Sequence, residues 1–176
     1  MTLHWRDVLI NRAVLDELYA DIPALDRVWV RSVHLSRVGP EVIVRCDLAE
    51  FPDRLAAPGA GSGADAGTVA EGHDRPQLHL RFLDVADFEL VRCSLPSGAA
   101  ITLRELDRRR LAVELVGESV EVRFTSSDAL TVGHLSTYRG NDGEPDVGAH
   151  EFLGAVDRRL YSSVPGPTTR VFHERV

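Results

Sequence analysis

The alternation of apolar and polar residues is clearest over residues 25–52, where two β-rich runs flank Gly39-Pro40. In the second run one parity is apolar and the other polar, which is the two-residue period of a half-buried strand. In the first run the apolar parity changes, so we predict a β-bulge near Arg31-Ser32 that returns the apolar side chains to one face. These apolar residues are Val28, Val30, Val33 and Leu35 in the first run and Val42, Val44, Cys46 and Leu48 in the second.

The same alternation recurs in short runs from residue 77 to residue 138, and turn residues separate the runs. Such spacing predicts an antiparallel meander of about eight strands, curled or folded into two layers. A parallel α/β fold is disfavoured because no helical crossover lies between the strands. Besides the first two strands, the predicted strands are 78–82, 88–95, 101–106, 111–116, 119–125 and 130–138.

Helical periodicity occurs near both ends of the chain. Apolar residues over 5–19 recur every three or four positions, which predicts an amphipathic N-terminal helix packed on the sheet and ended by Pro23. A second, short helix is predicted over Glu151–Leu160, and its apolar face would consist of Phe152, Val156 and Leu160. The predicted fold class is therefore α+β, mainly β.

The length of 176 residues predicts a single domain spanning 1–176. Within it, about residues 56–76 are rich in Gly and Ala and cannot bury enough apolar area to offset the loss of chain entropy. We predict a mobile loop there. A loosely held tail is predicted over about residues 162–176.

The charge of the chain bears on its partners. Its formal net charge is −7 at pH 7, which argues against nucleic acid or an anionic membrane as a partner and favours a basic protein. The first residues lack a charged segment followed by an apolar core, and no apolar run reaches the roughly 18 residues of a membrane span. We therefore expect a cytoplasmic protein.

Candidate chemistry is sparse in the sequence. Cys46 and Cys93 lie in separate apolar runs and are interpreted as small buried hydrophobic residues. Three histidines in predicted strands, His34, His79 and His134, could converge on a zinc ion, although scattered strand histidines more often face solvent. Paired carboxylates for glycosidic chemistry also stay open, since such pairs need only meet in the fold. No nucleophile motif is present, so we expect no enzyme, no cofactor and no bound metal.

The order of residues in the first third of the chain resembles the immunity protein 50 family of bacterial polymorphic-toxin systems. The resemblance covers about residues 5–52 and continues more weakly over 78–138, which ends in Ser136-x-Tyr138. The Gly/Ala-rich stretch and the segment after Tyr138 depart from the pattern of the family. The matching residues are Trp5, Leu9, Asn11, Leu15, Leu18-Tyr19, Pro23, Leu25, Val28, Val33, Leu35, Gly39-Pro40, Val44-Arg45-Cys46-Asp47-Leu48 and Phe51-Pro52.

The resemblance implies a non-enzymatic, cytoplasmic, antitoxin-like protein that binds and neutralises a cognate toxin domain. Such a toxin is expected to be basic, as a nuclease would be, because opposite charges raise the rate of association. Candidate contacts are Asp142, Glu144 and Asp146 in the late acidic loop. The alternative function is a small-ligand-binding, β-barrel-like carrier protein, because a closed antiparallel sheet can enclose a cavity.

Overall fold

A computed structural model describes residues 2–55, 72–140, 149–166 and 169. The described chain is mainly β, with one open antiparallel sheet of ten strands, two short α-helices and one 3-10 turn, which confirms the predicted fold class. The strands are β1 Thr2–Leu3, β2 Val28–Ser36, β3 Glu41–Leu48, β4 Arg75–Leu83, β5 Ala86–Cys93, β6 Ser97–Leu106, β7 Arg110–Gly117, β8 Val120–Ser127, β9 Leu130–Tyr138 and β10 Glu151–Phe152. The helices are α1 Ala13–Asp16 and α2 Ala155–Leu160, and the 3-10 turn is Trp5–Asp7.

The strand order is β10-β9-β4-β3-β2-β6-β7-β8-β5, with β1 paired to β6. The sheet folds back on itself, because β4 and β8 are not neighbours in it and yet the rings of Phe82 and Phe124 meet edge to face at 5.2 Å between centroids. Strand β2 joins the two layers by pairing with β3 and, over Val28–Val30, with β6. One apolar cluster lies between the layers and takes its side chains from both of them.

The connectivity differs from the meander predicted from the sequence. A meander would place β5 beside β4, but β5 pairs with β8 at the far edge and β9 takes the place beside β4. The short link Asp84-Val85 carries the chain from one layer to the other. Asp84 has a left-handed φ of 53° and Val85 is buried, so the backbone turns across the core instead of forming a hairpin.

The predicted bulge and hairpin turn of the first two long strands are confirmed. The pairing of β2 with β3 shifts register between Val30 and Ser32, where the apolar parity changes. Gly39 has a φ of +66° in the connecting turn, a left-handed conformation that glycine adopts at little cost.

The N-terminal segment is not the single helix predicted over residues 5–19. Between the 3-10 turn and α1, the backbone of Val8–Asn11 runs along the edge of β9. Ile10 N–H donates to the carbonyl of Leu130, and Leu130 N–H donates to the carbonyl of Val8. Hydrogen bonding to the sheet replaces helical hydrogen bonds here. Of the residues predicted to face the core, Trp5, Leu9, Leu15 and Tyr19 are buried, and Val8 and Leu18 are partly buried against it.

The predicted C-terminal helix is confirmed over Ala155–Leu160, but its buried face differs from the predicted one. Phe152 is buried in β10, whereas Val156 and Leu160 are exposed. Asp157 is the buried residue of α2, because its carboxylate contacts His134 of β9.

Parts of two other predictions lie outside the described residues. Residues 56–71 of the predicted loop are not described, and Arg75-Pro76 already belong to β4. Most of the tail after residue 166 is likewise outside the described ranges. Among the helices that are described, none has the length and apolar character needed to span a bilayer.

Candidate functional site

An open cleft of about 540 Å³ lies on the outer face of the sheet, beside Trp29. We call it the Trp29 cleft. Trp29 lies opposite Asp47 of β3 and Gly98 of β6, so its ring stands where the two layers part. Trp29 is 38% exposed and Val116, across the cleft, is 40% exposed. The cleft is lined by Asp26, Arg27, Val28, Trp29, Asp47, Leu48, Ala49, Arg75, Gly98, Ala99, Ala100 and Val116.

Small residues on adjacent strands shape the floor of the Trp29 cleft. A Cβ at Gly98 would lie 3.4 Å from the Trp29 ring, so the ring rests directly on the backbone of β6. A Cβ at Gly117 would lie 2.1 Å from the carbonyl oxygen of Gly98, which no side chain could tolerate without a shift of the backbone. Glycine at position 117 therefore lets β7 approach the backbone of β6 closely, beside the cleft.

The rim of the cleft carries charges of both signs. Asp26 and Arg27 are exposed and Arg75 is half-buried. Asp47 contributes little free charge, because Arg31 forms a salt bridge with it at 2.7 Å. Protein–protein interfaces commonly have an apolar centre surrounded by a polar rim, and the Trp29 cleft has the same arrangement.

A second feature of the outer face is a layer of buried polar side chains on β2, β3, β4 and β9. We call it the polar layer; it comprises Arg31, Asp47, Gln77, His79, His134, Ser136 and Tyr138. Asp47 is its centre. The Asp47 carboxylate accepts hydrogen bonds from Tyr138 Oη at 2.8 Å and from Gln77 Nε2 at 2.8 Å, in addition to the salt bridge with Arg31.

Residues 149–161 cover the polar layer, and we call them the C-terminal cover. His150 stacks on Tyr138 with ring centroids 4.5 Å apart, and its Nδ1 lies 3.0 Å from Ser136 Oγ. Asp157 Oδ2 lies 3.1 Å from Nδ1 of His134. His134 has a left-handed φ of 52° beside a register shift between β4 and β9, and this bulge turns its imidazole toward the cover.

The histidines predicted as possible zinc ligands separate into two groups. His79 and His134 meet edge to face with ring centroids 5.0 Å apart, whereas His34 lies opposite Ile43 on β2. Within the residues that the structure describes, no group of three or more His, Cys, Asp or Glu side chains could hold a metal ion. The polar layer contains groups capable of acid–base chemistry, and Asp47, His79 and His134 among them are buried.

The two cysteines lie in different environments. Cys46 is buried in the core as predicted, and burial raises the pKa of its thiol, with a further increase from the neighbouring Asp47 carboxylate. Cys93, in contrast to the prediction, is exposed on the edge strand β5. Most residues of β5 are exposed, and β5 is the last strand in the order of the sheet.

The predicted contacts Asp142, Glu144 and Asp146 lie outside the described residues. Sequence reasoning did not identify the Trp29 cleft. One signal for it was present, since Trp29 occupies the parity opposite to the inward-facing Val28 and Val30. A large aromatic side chain on the outer face of a strand is more typical of a contact surface than of a core.

No family model matches this chain, and no curated protein or solved structure matches it. The resemblance to the immunity protein 50 family therefore stays a prediction.

Proposed function

We propose that this chain is an immunity protein of a bacterial polymorphic-toxin system, which binds a cognate toxin domain in the cytoplasm and neutralises it without catalysis. The observation that carries the proposal is the Trp29 cleft, with an exposed Trp over a floor of small apolar residues. Tryptophan is enriched among the residues that contribute most binding energy at interfaces. The N-terminal resemblance supports the same function.

Charge supports a basic toxin as the partner. The net charge of −7 would steer a cationic protein toward the chain and raise its association rate. The cleft would then supply affinity after the encounter, because an apolar side chain of the toxin can leave water on its floor. An interface of standard size buries about 800 Å² on each partner, so it would extend beyond the cleft.

The carrier alternative depends on a closed sheet with an enclosed cavity. The sheet is open, and apolar side chains from both layers pack together between them. No specific observation favours the carrier over a protein-binding role.

Co-expression with the toxin domain encoded beside this chain tests the proposal. The wild-type chain should restore growth and form a complex that survives gel filtration. Absence of both effects would reject the immunity function.

Two variants test the role of the cleft. Trp29→Ala should weaken the complex at least about thirtyfold, because a central interface residue contributes about 2 kcal/mol or more. Val116→Arg should weaken it as well by filling the cleft. Leu90→Ala is the matched control, since Leu90 is an exposed apolar residue on β5 outside the cleft. If both cleft variants still restore growth and bind the toxin with full affinity, the toxin contacts another surface of this chain.

A further inference from the structure

A second cavity, of about 350 Å³, lies beside the Trp29 cleft, and we call it the Asp26 pocket. Three segments of the chain surround it: Leu3–Trp5, Ala24–Asp26 and Ala100–Leu103 of β6. Asp26 and Ala100 line the cleft as well as the pocket, so the two cavities are adjacent. One partner could therefore occupy both of them.

The walls of the Asp26 pocket are held together within the chain itself. The indole N–H of Trp5 donates to the carbonyl of Pro23 at 2.7 Å, and the N–H of Ile101 donates to the carbonyl of Leu25 at 2.8 Å. The pairing of β1 with β6 fixes the remaining side. A cavity that is already formed costs a partner less ordering than one that must open on binding.

The lining of the pocket is apolar apart from one charge. Trp5, Leu25 and Ile101 contribute buried apolar side chains. His4 also lines the pocket, and its Nδ1 accepts a hydrogen bond from the backbone N–H of Arg6 at 3.3 Å, so that nitrogen carries no proton. Asp26 is the one Asp, Glu or Arg among the described lining residues. Its side chain is exposed, and no other described residue forms a hydrogen bond or an ion pair with it.

This carboxylate determines which kind of group the pocket can hold. An apolar side chain would remove water from Asp26 without replacing the lost hydrogen bonds, which is costly. An anionic group would be repelled. A cationic side chain compensates the carboxylate, and the aliphatic stem of Lys or Arg can lie on the apolar lining while its charged end reaches Asp26.

The basic residues nearby belong to the other cavity. Arg27 and Arg75 line the Trp29 cleft, and neither is among the described residues that line the Asp26 pocket. The two cavities therefore differ in charge, although they are adjacent. A cation is favoured in the pocket, while the cleft offers Trp29 to an apolar group.

We propose that the Asp26 pocket is the specificity subsite of the toxin interface, and that it receives one Lys or Arg side chain of the toxin while an apolar toxin residue lies against Trp29. This inference rests on the proposed function. The ion pair with Asp26 would form among apolar side chains, where charges are screened less than on an open surface. A toxin that lacks the cation would leave the carboxylate uncompensated, so the pocket selects between toxins.

Dissociation kinetics of the complex with the toxin domain encoded beside this chain test the pocket. Asp26→Asn should weaken the complex at least about tenfold, mainly through faster dissociation, because close charge pairs across an interface couple at least this strongly. Asp107→Asn is the matched control, since it removes the same charge from an exposed residue outside both cavities and should leave the dissociation rate unchanged. Equal dissociation rates of the two variants would overturn the proposal.

A double-mutant cycle identifies the toxin group that enters the pocket. Each Lys and Arg of the toxin is replaced by Met in turn, which keeps an aliphatic stem and removes the charge. One replacement should weaken the complex with the wild-type chain but have no further effect on the complex with Asp26→Asn. If no toxin position is coupled to Asp26 in this way, the pocket does not bind a toxin cation.

These outcomes separate the pocket from the proposed function. A complex that depends on Trp29 but not on Asp26 would reject the pocket and retain the immunity function. Absence of any complex would reject both.

Discussion

Asp47 connects the polar layer, because its carboxylate binds Arg31, Gln77 and Tyr138. Its carboxylate is 2% exposed and the Arg31 guanidinium is 8% exposed, so their salt bridge is screened little by water. Replacing such a pair by apolar residues need not destabilise a protein, but removing one partner leaves a buried charge uncompensated.

Asp47→Asn should therefore lower the free energy of unfolding by about 3–5 kcal/mol, measured by urea denaturation at pH 7. The control is Asp16→Asn, which breaks a half-exposed pair with Arg12 at 3.1 Å on α1. A loss of only about 0.3–0.5 kcal/mol is expected there. Equal losses in the two variants would show that Asp47 is not the structural centre of the layer.

Ionisation of Tyr19 makes the free energy of unfolding depend on pH in the alkaline range. Burial raises the pKa of its phenol above the ordinary value of 10.0, and the carboxylates of Glu50 and Asp53 raise it further. Above about pH 10, the folded state therefore keeps the phenol proton of Tyr19 while the unfolded state releases it. The associated stability is complete below about pH 10 and is lost progressively as the pH rises beyond that value.

Tyr19→Phe should flatten the fall in the free energy of unfolding between pH 10 and pH 12. The variant also loses the hydrogen bond from the phenol to the Glu50 carbonyl, 3.0 Å long, so its stability is lower at every pH. The slope against pH, measured by urea denaturation at several alkaline values, is therefore the informative quantity. An unchanged slope would mean that Tyr19 ionises in the same way in the folded and unfolded chains.

At the scale of elements, Asn11 fixes how the N-terminal segment meets the sheet. Its side chain donates to the carbonyl of Val132 at 2.7 Å and accepts from the N–H of Val132 at 3.0 Å, so one amide completes the edge of β9. Asn11→Ala should cost about 1–3 kcal/mol in urea denaturation, because a buried backbone donor and acceptor lose their partner. It should also raise hydrogen exchange at Leu130–Val132. Unchanged exchange there would contradict this role.

Whether an element could be predicted from the sequence depends on how far apart along the chain its interacting residues lie. Strand positions and the bulge after Val30 could be predicted because the two-residue alternation is local. The places of β5 and β9 depend on contacts between distant segments, such as those of Val85 in the core, which a local pattern does not encode. The spacing over residues 5–19 predicted which side chains are buried but not their backbone, since short irregular pieces can bury the same residues.

The candidate sites depend still more on distant segments. The polar residues of β3 and β4 fall on the outer parity, as the alternation indicates, and their burial arises from a cover that begins more than 60 residues after β4. Nothing in the sequence of β3 or β4 signals that cover. His79 and His134 could be recognised as strand residues, but their contact requires the pairing of β4 with β9 and the bulge at His134.

At the scale of the whole molecule, the two layers share one apolar cluster. Phe124 of β8 is central to it, because its ring meets Phe82 of the opposite layer at 5.2 Å and stacks on Phe88 of β5 at 6.2 Å between centroids. Neither layer could bury its inner face alone. The layers should therefore unfold together at neutral pH.

Phe124→Leu tests whether this shared core, which also includes Trp5, Leu9 and Leu15 of the N-terminal segment, unfolds as one unit. The loss of ring contacts on both sides should lower the free energy of unfolding by about 1–3 kcal/mol. In a Trp29→Phe background the remaining Trp5 fluorescence reports on the N-terminal segment, while far-UV circular dichroism reports on the sheet. Both urea midpoints should move to lower concentration together, and Val116→Ala on the outer face should move neither by much, since it removes few core contacts. Separate midpoints for the two signals would show that the N-terminal segment and the sheet unfold independently, because a shared core cannot be lost from one of them alone.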